Sequence, residues 1–192
     1  MSALDDAQLV HADDRATWRA WLEANHATSS GAWLVTWRRR SGRLGLDYEA
    51  AIEEALCFGW VDSTAGRVDD DRGKLYFAPR KPRSGWAAAN KARIERLLAE
   101  GRMAPAGITA IERAKANGSW EVLDSAERLV VPADLAAALD ARPPAAANFA
   151  GFPPSARKQM LAWVALAMRP ETRADRIRRV VDAAERNVRA RG

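Results

Sequence analysis

Between Glu54 and Lys91 the hydrophobic period of the chain changes twice: EALCFGWVDSTAGRVDDDRGKLYFAPRKPRSGWAAANK. A helical pattern ends, an extended one follows, and a helical one resumes. Asp47 is a good N-cap, and Ala51, Ile52, Ala55 and Leu56 share a face of the helix behind it. Gly59 suits its C-terminal stop. Trp60–Val61–Asp62 and Leu75–Tyr76–Phe77 flank the acidic turn around DDDRG and predict a β-hairpin. Pro79 and Pro82 end its second strand, since neither can donate to a ladder. Ser84 is the expected cap of a helix over 86–100, with Gly85 and Trp86 in its first turn. There Trp86, Asn90, Ile94 and Leu97 share a face, which puts an amide on an apolar stripe.

This hairpin flanked by helices predicts an α+β fold with a small antiparallel sheet. Asp13 or Asp14 caps a helix reaching about Asn25, with Trp18, Trp21 and Leu22 on one face. Trp33, Val35 and Trp37 alternate with Leu34, Thr36 and Arg38, which adds a third strand. Arg38, Arg39, Arg40 and Arg43 make a basic strand end and loop. Residues 1–12 have little periodicity and read as a trailing segment. Pro105 opens a helix with Ile108 and Ile111 inward, ending at Asn117–Gly118. Beyond it the composition turns alanine-rich, and a boundary near residue 125 divides an α+β domain, 1–125, from a helical module, 126–192. In that module a short helix ends near Arg142. RPPAAANFAGFPPS reads as a joint plugged by two phenylalanines. Ser155 caps a helix carrying Met160, Leu161, Val164 and Met168, which Pro170 breaks. The last helix buries Ile177, Val180 or Val181, Ala184 and Val188.

Charge concentrates in the central stretch. Residues 72–96 carry eight Lys or Arg against Glu95 alone, in a chain of net charge +5. Part of that charge precedes the expected helix start at Ser84, where backbone N–H groups favour an anion. A solvated basic loop accounts for the same pattern. A single cysteine excludes an internal disulfide and fits a reducing compartment. No apolar run approaches the roughly 20 residues of a membrane span, and the acidic N-terminus lacks a signal-peptide core, so a cytoplasmic protein without membrane insertion is expected.

The motifs CFGWVDS, FAPRKPRSGWAAANK and EGRMAPAGITAIERAKANGSW occur in order. WRAWLEANHATSSGAWLV precedes them and PPSARKQMLAWVALAMRPETRADRIRRVV follows. Together they resemble the YdeI/OmpD-associated, or bacteriocin-protection, family from about Thr17 to Val181. The tail departs from that pattern at Met160, where an aromatic is expected, and at Met168, where a lysine is expected. The resemblance implies a bacterial protein linked to protection against bacteriocins or antimicrobial peptides. It implies a cytoplasmic location in most members and no settled catalytic chemistry.

The residues point to binding rather than to a reaction. Cys57 sits at a helix C-terminus, where the dipole disfavours a thiolate, and reads as a core residue. One cysteine and two separated histidines, His11 and His26, do not make a metal site, and no cofactor motif is present. Asp69, Asp70 and Asp71 read as a solvated turn. Trp60 and Asp62 share a strand face, and Arg67 or Arg80 is the expected partner of Asp62. The candidate ligand-binding set is Trp60, Asp62, Ser63, Arg67, Arg80, Lys81, Ser84, Trp86, Asn90 and Lys91. Its aromatic walls, acid, bases and amide suit a small polar or anionic ligand. An enzyme of unknown reaction stays open as an alternative, with Asp62 its one general acid–base candidate. Nucleic acid is the alternative partner, because basic residues interleave with Trp and Tyr76, though no nucleic-acid signature accompanies them. A protein-docking surface on the 126–192 helices is a third reading. The sequence sets no oligomeric state.

Overall fold

A computed structural model describes residue 4 and residues 6–190. The chain divides into two units. The first comprises residues up to Arg83 together with Ala89–Asn117, and the second comprises Ser84–Ala88 and residues from Gly118 onward.

The first unit is built on a four-stranded sheet of order β1-β2-β4-β3, with β1 at Gln8–His11, β2 at Ala32–Trp37, β3 at Trp60–Arg67 and β4 at Arg72–Pro79. Helix α1, Arg15–Asn25, links β1 to β2, which run parallel, and a parallel pair requires such a crossover. The sheet is therefore mixed. The segment read as trailing contains β1 at residues 8–11, whose four residues are too few to show a period. Residues 1–3 and 5 of that segment lie outside the described residues. β2–β4 and β4–β3 are antiparallel, and the hairpin slips register between Asp62 and Ala65.

The local signals at the first two helices are realised. Asp14 caps α1 through Thr17 N (2.8 Å), and Asp47 caps α2, Tyr48–Cys57, through Ala50 N (2.7 Å). Gly59 follows α2 with φ +72°, a conformation that favours glycine. Trp18, Leu22, Leu34, Leu56, Trp60 and Phe77 are buried. Trp18 stacks on Trp21 (5.3 Å) and tilts against Phe77 (5.3 Å), while its indole N–H donates to Ala51 O (3.2 Å). This places α1 and α2 against the sheet face that carries Phe77, Leu34 and Leu75.

Helix α3, Ala88–Ala99, which belongs to this unit from Ala89 onward, and α4, Pro105–Ala116, complete it. Ser84 is not the cap of α3, because the helix begins four residues later and 84–87 form no regular element. That stretch belongs to the second unit, where a Cβ on Gly85 would press on Leu123 (2.8 Å) and Trp86 packs on Trp120 (5.1 Å). Within the same unit the N–H of Ala88 donates to Glu127 (3.2 Å). Gly107 lets α4 lie on the end of α2, since a Cβ there would stand 2.2 Å from the Cys57 carbonyl oxygen. Ile111 points inward as expected, but Ile108 is 39% exposed.

The second unit is helical, with α5 at Asp124–Glu127, α6 at Ala133–Asp140, α7 at Pro143–Gly151, α8 at Pro154–Ala165 and α9 at Pro170–Glu185. The expected joint contains α7. Its prolines occupy the first helical positions, where a missing N–H costs nothing, and its alanines continue the helix. For the same reason Pro154 starts α8, so Ser155 lies inside it rather than capping it, and Pro170 starts α9. The core gathers Leu135, Leu139, Phe149, Met160, Leu161, Val164 and Val180. Met168 and Val188 are exposed, each lying beyond the end of its helix.

Candidate functional site

Three of the sequence-predicted residues meet in the first unit. Trp60, Asp62 and Asn90 line one crevice beside Leu56 and Phe77, too narrow to admit water. Trp60 is buried, with its indole N–H toward His26 O (3.4 Å). Asn90 accepts from Arg93 Nη1 (2.9 Å), which supplies the partner its position requires. Asp62 accepts from the Tyr48 hydroxyl (3.0 Å). Partial desolvation of its hydroxyl, and then the charge of Asp62, raise the Tyr48 phenol above its ordinary value. Arg67 instead pairs with Asp70 and donates to Asp69 O (3.0 Å), because the hairpin tip brings those groups closer. Arg80 is buried, and desolvation pushes its pKa down to about 10, with attraction to Asp62 acting the other way. Ser63 and Lys81 are exposed and Lys91 is half-buried. Ser84 and Trp86 belong to the second unit.

The larger opening in this unit lies at the tip end of the hairpin, between the sheet and the 38–47 loop, and has a volume of about 610 Å3. Leu34, Thr36, Ala65, Gly73 and Leu75 make its floor. Their shared side follows from the register, which sets Leu34 against Leu75, Thr36 against Gly73 and Ala65 against Leu75. Leu46 and Ala51 wall it where α2 begins, and Leu44 and Tyr48 stand at its mouth, 96% and 59% exposed. Arg39 and Arg43 lie on its rim. The Arg43 guanidinium is held over Trp37, 4.3 Å from the ring centre. Neither arginine meets a carboxylate among the described residues. Asp47, the one acid among the described lining residues, is turned to the N–H of Ala50. Sequence reasoning noted the basic loop but did not include it in the candidate set. The usable signal was RRRSGRLG, a cationic glycine-bearing loop next to an aromatic strand.

Reasoning from sequence also missed a buried ionic cluster. Glu53 and Glu54 of α2 are 5% and 1% exposed. Glu54 accepts from Arg15 (3.0 Å), Arg19 (2.8 Å) and Arg102 (2.5 Å). Glu53 accepts from Arg15 (2.7 Å) and Arg102 (3.4 Å) and pairs with Arg96. Burial acts to raise both carboxyls, but the arginine hydrogen bonds overcome it and hold both below the usual carboxylate range. One turn on, burial and then the Glu54 charge raise the Cys57 thiol. The thiol is fully buried and held in its protonated form, so the cluster ties elements together and presents no nucleophile.

Two families match different parts of the chain. Residues 10–110 match a family described as a domain of unknown function (DUF8412). Residues 128–187 match the family described as Bacteriocin-protection, YdeI or OmpD-Associated. The chain belongs to the DUF8412 family and carries a C-terminal YdeI/OmpD-associated domain. The latter match is shorter than the stretch from Thr17 to Val181 that resembles the family, since CFGWVDS and FAPRKPRSGWAAANK fall within the DUF8412 match. No curated protein and no solved structure matches the chain. The YdeI/OmpD-associated domain has its own groove, about 580 Å3, between α6 and α9. Its rim cations are already neutralised. Arg173 holds Asp134 with two hydrogen bonds (2.6 and 2.9 Å), Arg142 holds Asp182 (2.6 Å) and Glu185 (3.1 Å), and Arg178 pairs with Asp175. The DUF8412 cleft differs in leaving Arg39 and Arg43 without such partners among the described residues. No helix among the described residues is long and apolar enough to cross a membrane.

Proposed function

We propose that this is a binding protein of the bacterial cytoplasm, with a protective or stress role, that holds a small polar or anionic ligand in the hairpin-end cleft. One observation carries the reading: an apolar concavity of about 610 Å3 is rimmed by Arg39 and Arg43, to which the described part of the chain offers no carboxylate. That volume falls within the range of small-molecule sites. Asp62, read from the sequence as part of the site, joins it through Tyr48. The family description of the C-terminal domain supports the protective role. Nucleic-acid binding is less well supported. Tyr76 is 7% exposed, and Trp60 and Trp86 are more deeply buried, so none of them offers a face on which a base could stack.

A thermal-shift screen tests the reading with metabolites, nucleotides and short oligonucleotides at low and high salt. It compares the wild type with Ala65→Phe, which fills the cleft floor from an exposed position. A ligand at about 100 times its Kd adds about 2.7 kcal/mol of apparent stability. The expected result is a shift that survives salt and is absent in Ala65→Phe. A shift of equal size in both proteins, or one given only by oligonucleotides at low salt, overturns the cleft reading.

A further inference from the structure

We infer that the ligand of the hairpin-end cleft is a free amphipathic anion, one carboxylate or phosphate on an apolar body. This inference rests on the cleft reading above and narrows it to a ligand class. The cleft divides by chemistry. Its floor and inner wall are Leu34, Leu75, Ala65, Leu46 and Ala51, with Thr36 alone adding a hydroxyl. Such a surface holds no buried charge and returns nothing to a strongly polar ligand body, whose desolvation would go uncompensated. The rim is cationic. Arg43 is fixed against Trp37 and Arg39 stands on the same loop, so two guanidinium forks border one end of an apolar trough. The lining acid that could repel an anion, Asp47, is engaged as the cap of α2. Leu44 at the mouth is 96% exposed, and an apolar ligand body lying on the floor would cover it. A bare inorganic anion would leave the floor and Leu44 unused. A neutral apolar molecule would leave both arginines unused. A ligand that satisfies floor, mouth and rim together has both parts. The site is concave, which suits a free molecule rather than an extended lipid surface.

Calorimetric titration of the full chain with octanoate, octyl phosphate, acetate and 1-octanol tests this. The variants are Arg39→Gln/Arg43→Gln and Leu44→Ser, each checked for unchanged thermal unfolding. Octanoate and octyl phosphate are expected to bind, and the double arginine variant to bind them about tenfold more weakly or worse, the loss of charge-assisted hydrogen bonds. Leu44→Ser is expected to weaken octanoate binding and to leave the weak binding of acetate unchanged. Acetate or 1-octanol binding as tightly as octanoate overturns the inference, as does an unaltered affinity in the arginine variant. So does co-sedimentation with phosphatidylglycerol vesicles in place of binding to the free probes. If a neutral compound from the thermal-shift screen proves to bind at the cleft, this inference falls and the cleft reading stands. If neither these probes nor any screened compound is sensitive to Ala65→Phe, both fall together.

Discussion

Glu54→Gln changes one oxygen to an amide and removes one charge from a side chain that is 1% exposed. The carboxylate now takes guanidinium hydrogen bonds from Arg15, Arg19 and Arg102, at 3.0, 2.8 and 2.5 Å. An amide offers one acceptor and turns two donors toward groups that only donate. Breaking a buried ion pair from one side typically costs about 3–5 kcal/mol. Here the arginines are 28–40% exposed, so water can take up part of their lost pairing, which puts the expected loss near the low end, about 3 kcal/mol. For a chain of this size that lowers Tm by about 6–12 °C. Urea unfolding followed by circular dichroism measures the loss directly. The variant also changes the acid limb. The folded-state pKa of Glu54 is depressed, so its contribution is present above the unfolded glutamate value of about 4.3 and is lost as pH falls through the lower folded value. The gap between wild type and Glu54→Gln should therefore be full at pH 7 and narrow below about pH 4.3. A loss under about 1 kcal/mol, the scale of an exposed pair, would refute the claim that this cluster clasps the first unit.

Three further outcomes follow from the same geometry. Gly107→Ala should cost about 1–3 kcal/mol in urea, because its Cβ would stand 2.2 Å from the backbone oxygen of Cys57; an unchanged midpoint would mean α4 does not approach so closely. Cys57 should resist a disulfide reagent in the native protein at pH 8 and react once guanidinium unfolds it; rapid native labelling would contradict its burial. Arg173→Met, which breaks a partly exposed pair with Asp134, should cost about 1 kcal/mol or less by thermal unfolding; a much larger loss would show that α6 and α9 depend on that pair.

The contrast between legible and illegible features follows sequence distance. Caps at Asp14 and Asp47, the stop at Gly59 and the hairpin around DDDRG each rest on residues a few positions apart, and local periodicity exposes them. β1 is four residues long and is defined by pairing with Ala32–Val35 beyond a helix, so no local pattern marks it. Glu53 and Glu54 look like a solvated face until Arg15, Arg19, Arg96 and Arg102 arrive from 35 to 49 positions away. The expected cap at Ser84 failed because Gly85 and Trp86 satisfy packing in the second unit instead. The cleft escaped notice because its floor residues come from three strands and its rim from a loop, and only the sheet register brings them together.

The most direct test of the central claim is a methyl-resolved NMR titration of the full chain with a compound that stabilises it in the thermal-shift screen. Leu34, Leu44, Leu46 and Leu75 line the cleft, whereas Leu135 and Leu161 lie in the core of the C-terminal domain. A saturable shift of the first four, with the last two unmoved, is the predicted result. Shifts centred on Leu135 and Leu161, or none at the cleft leucines while the protein is stabilised, would contradict it.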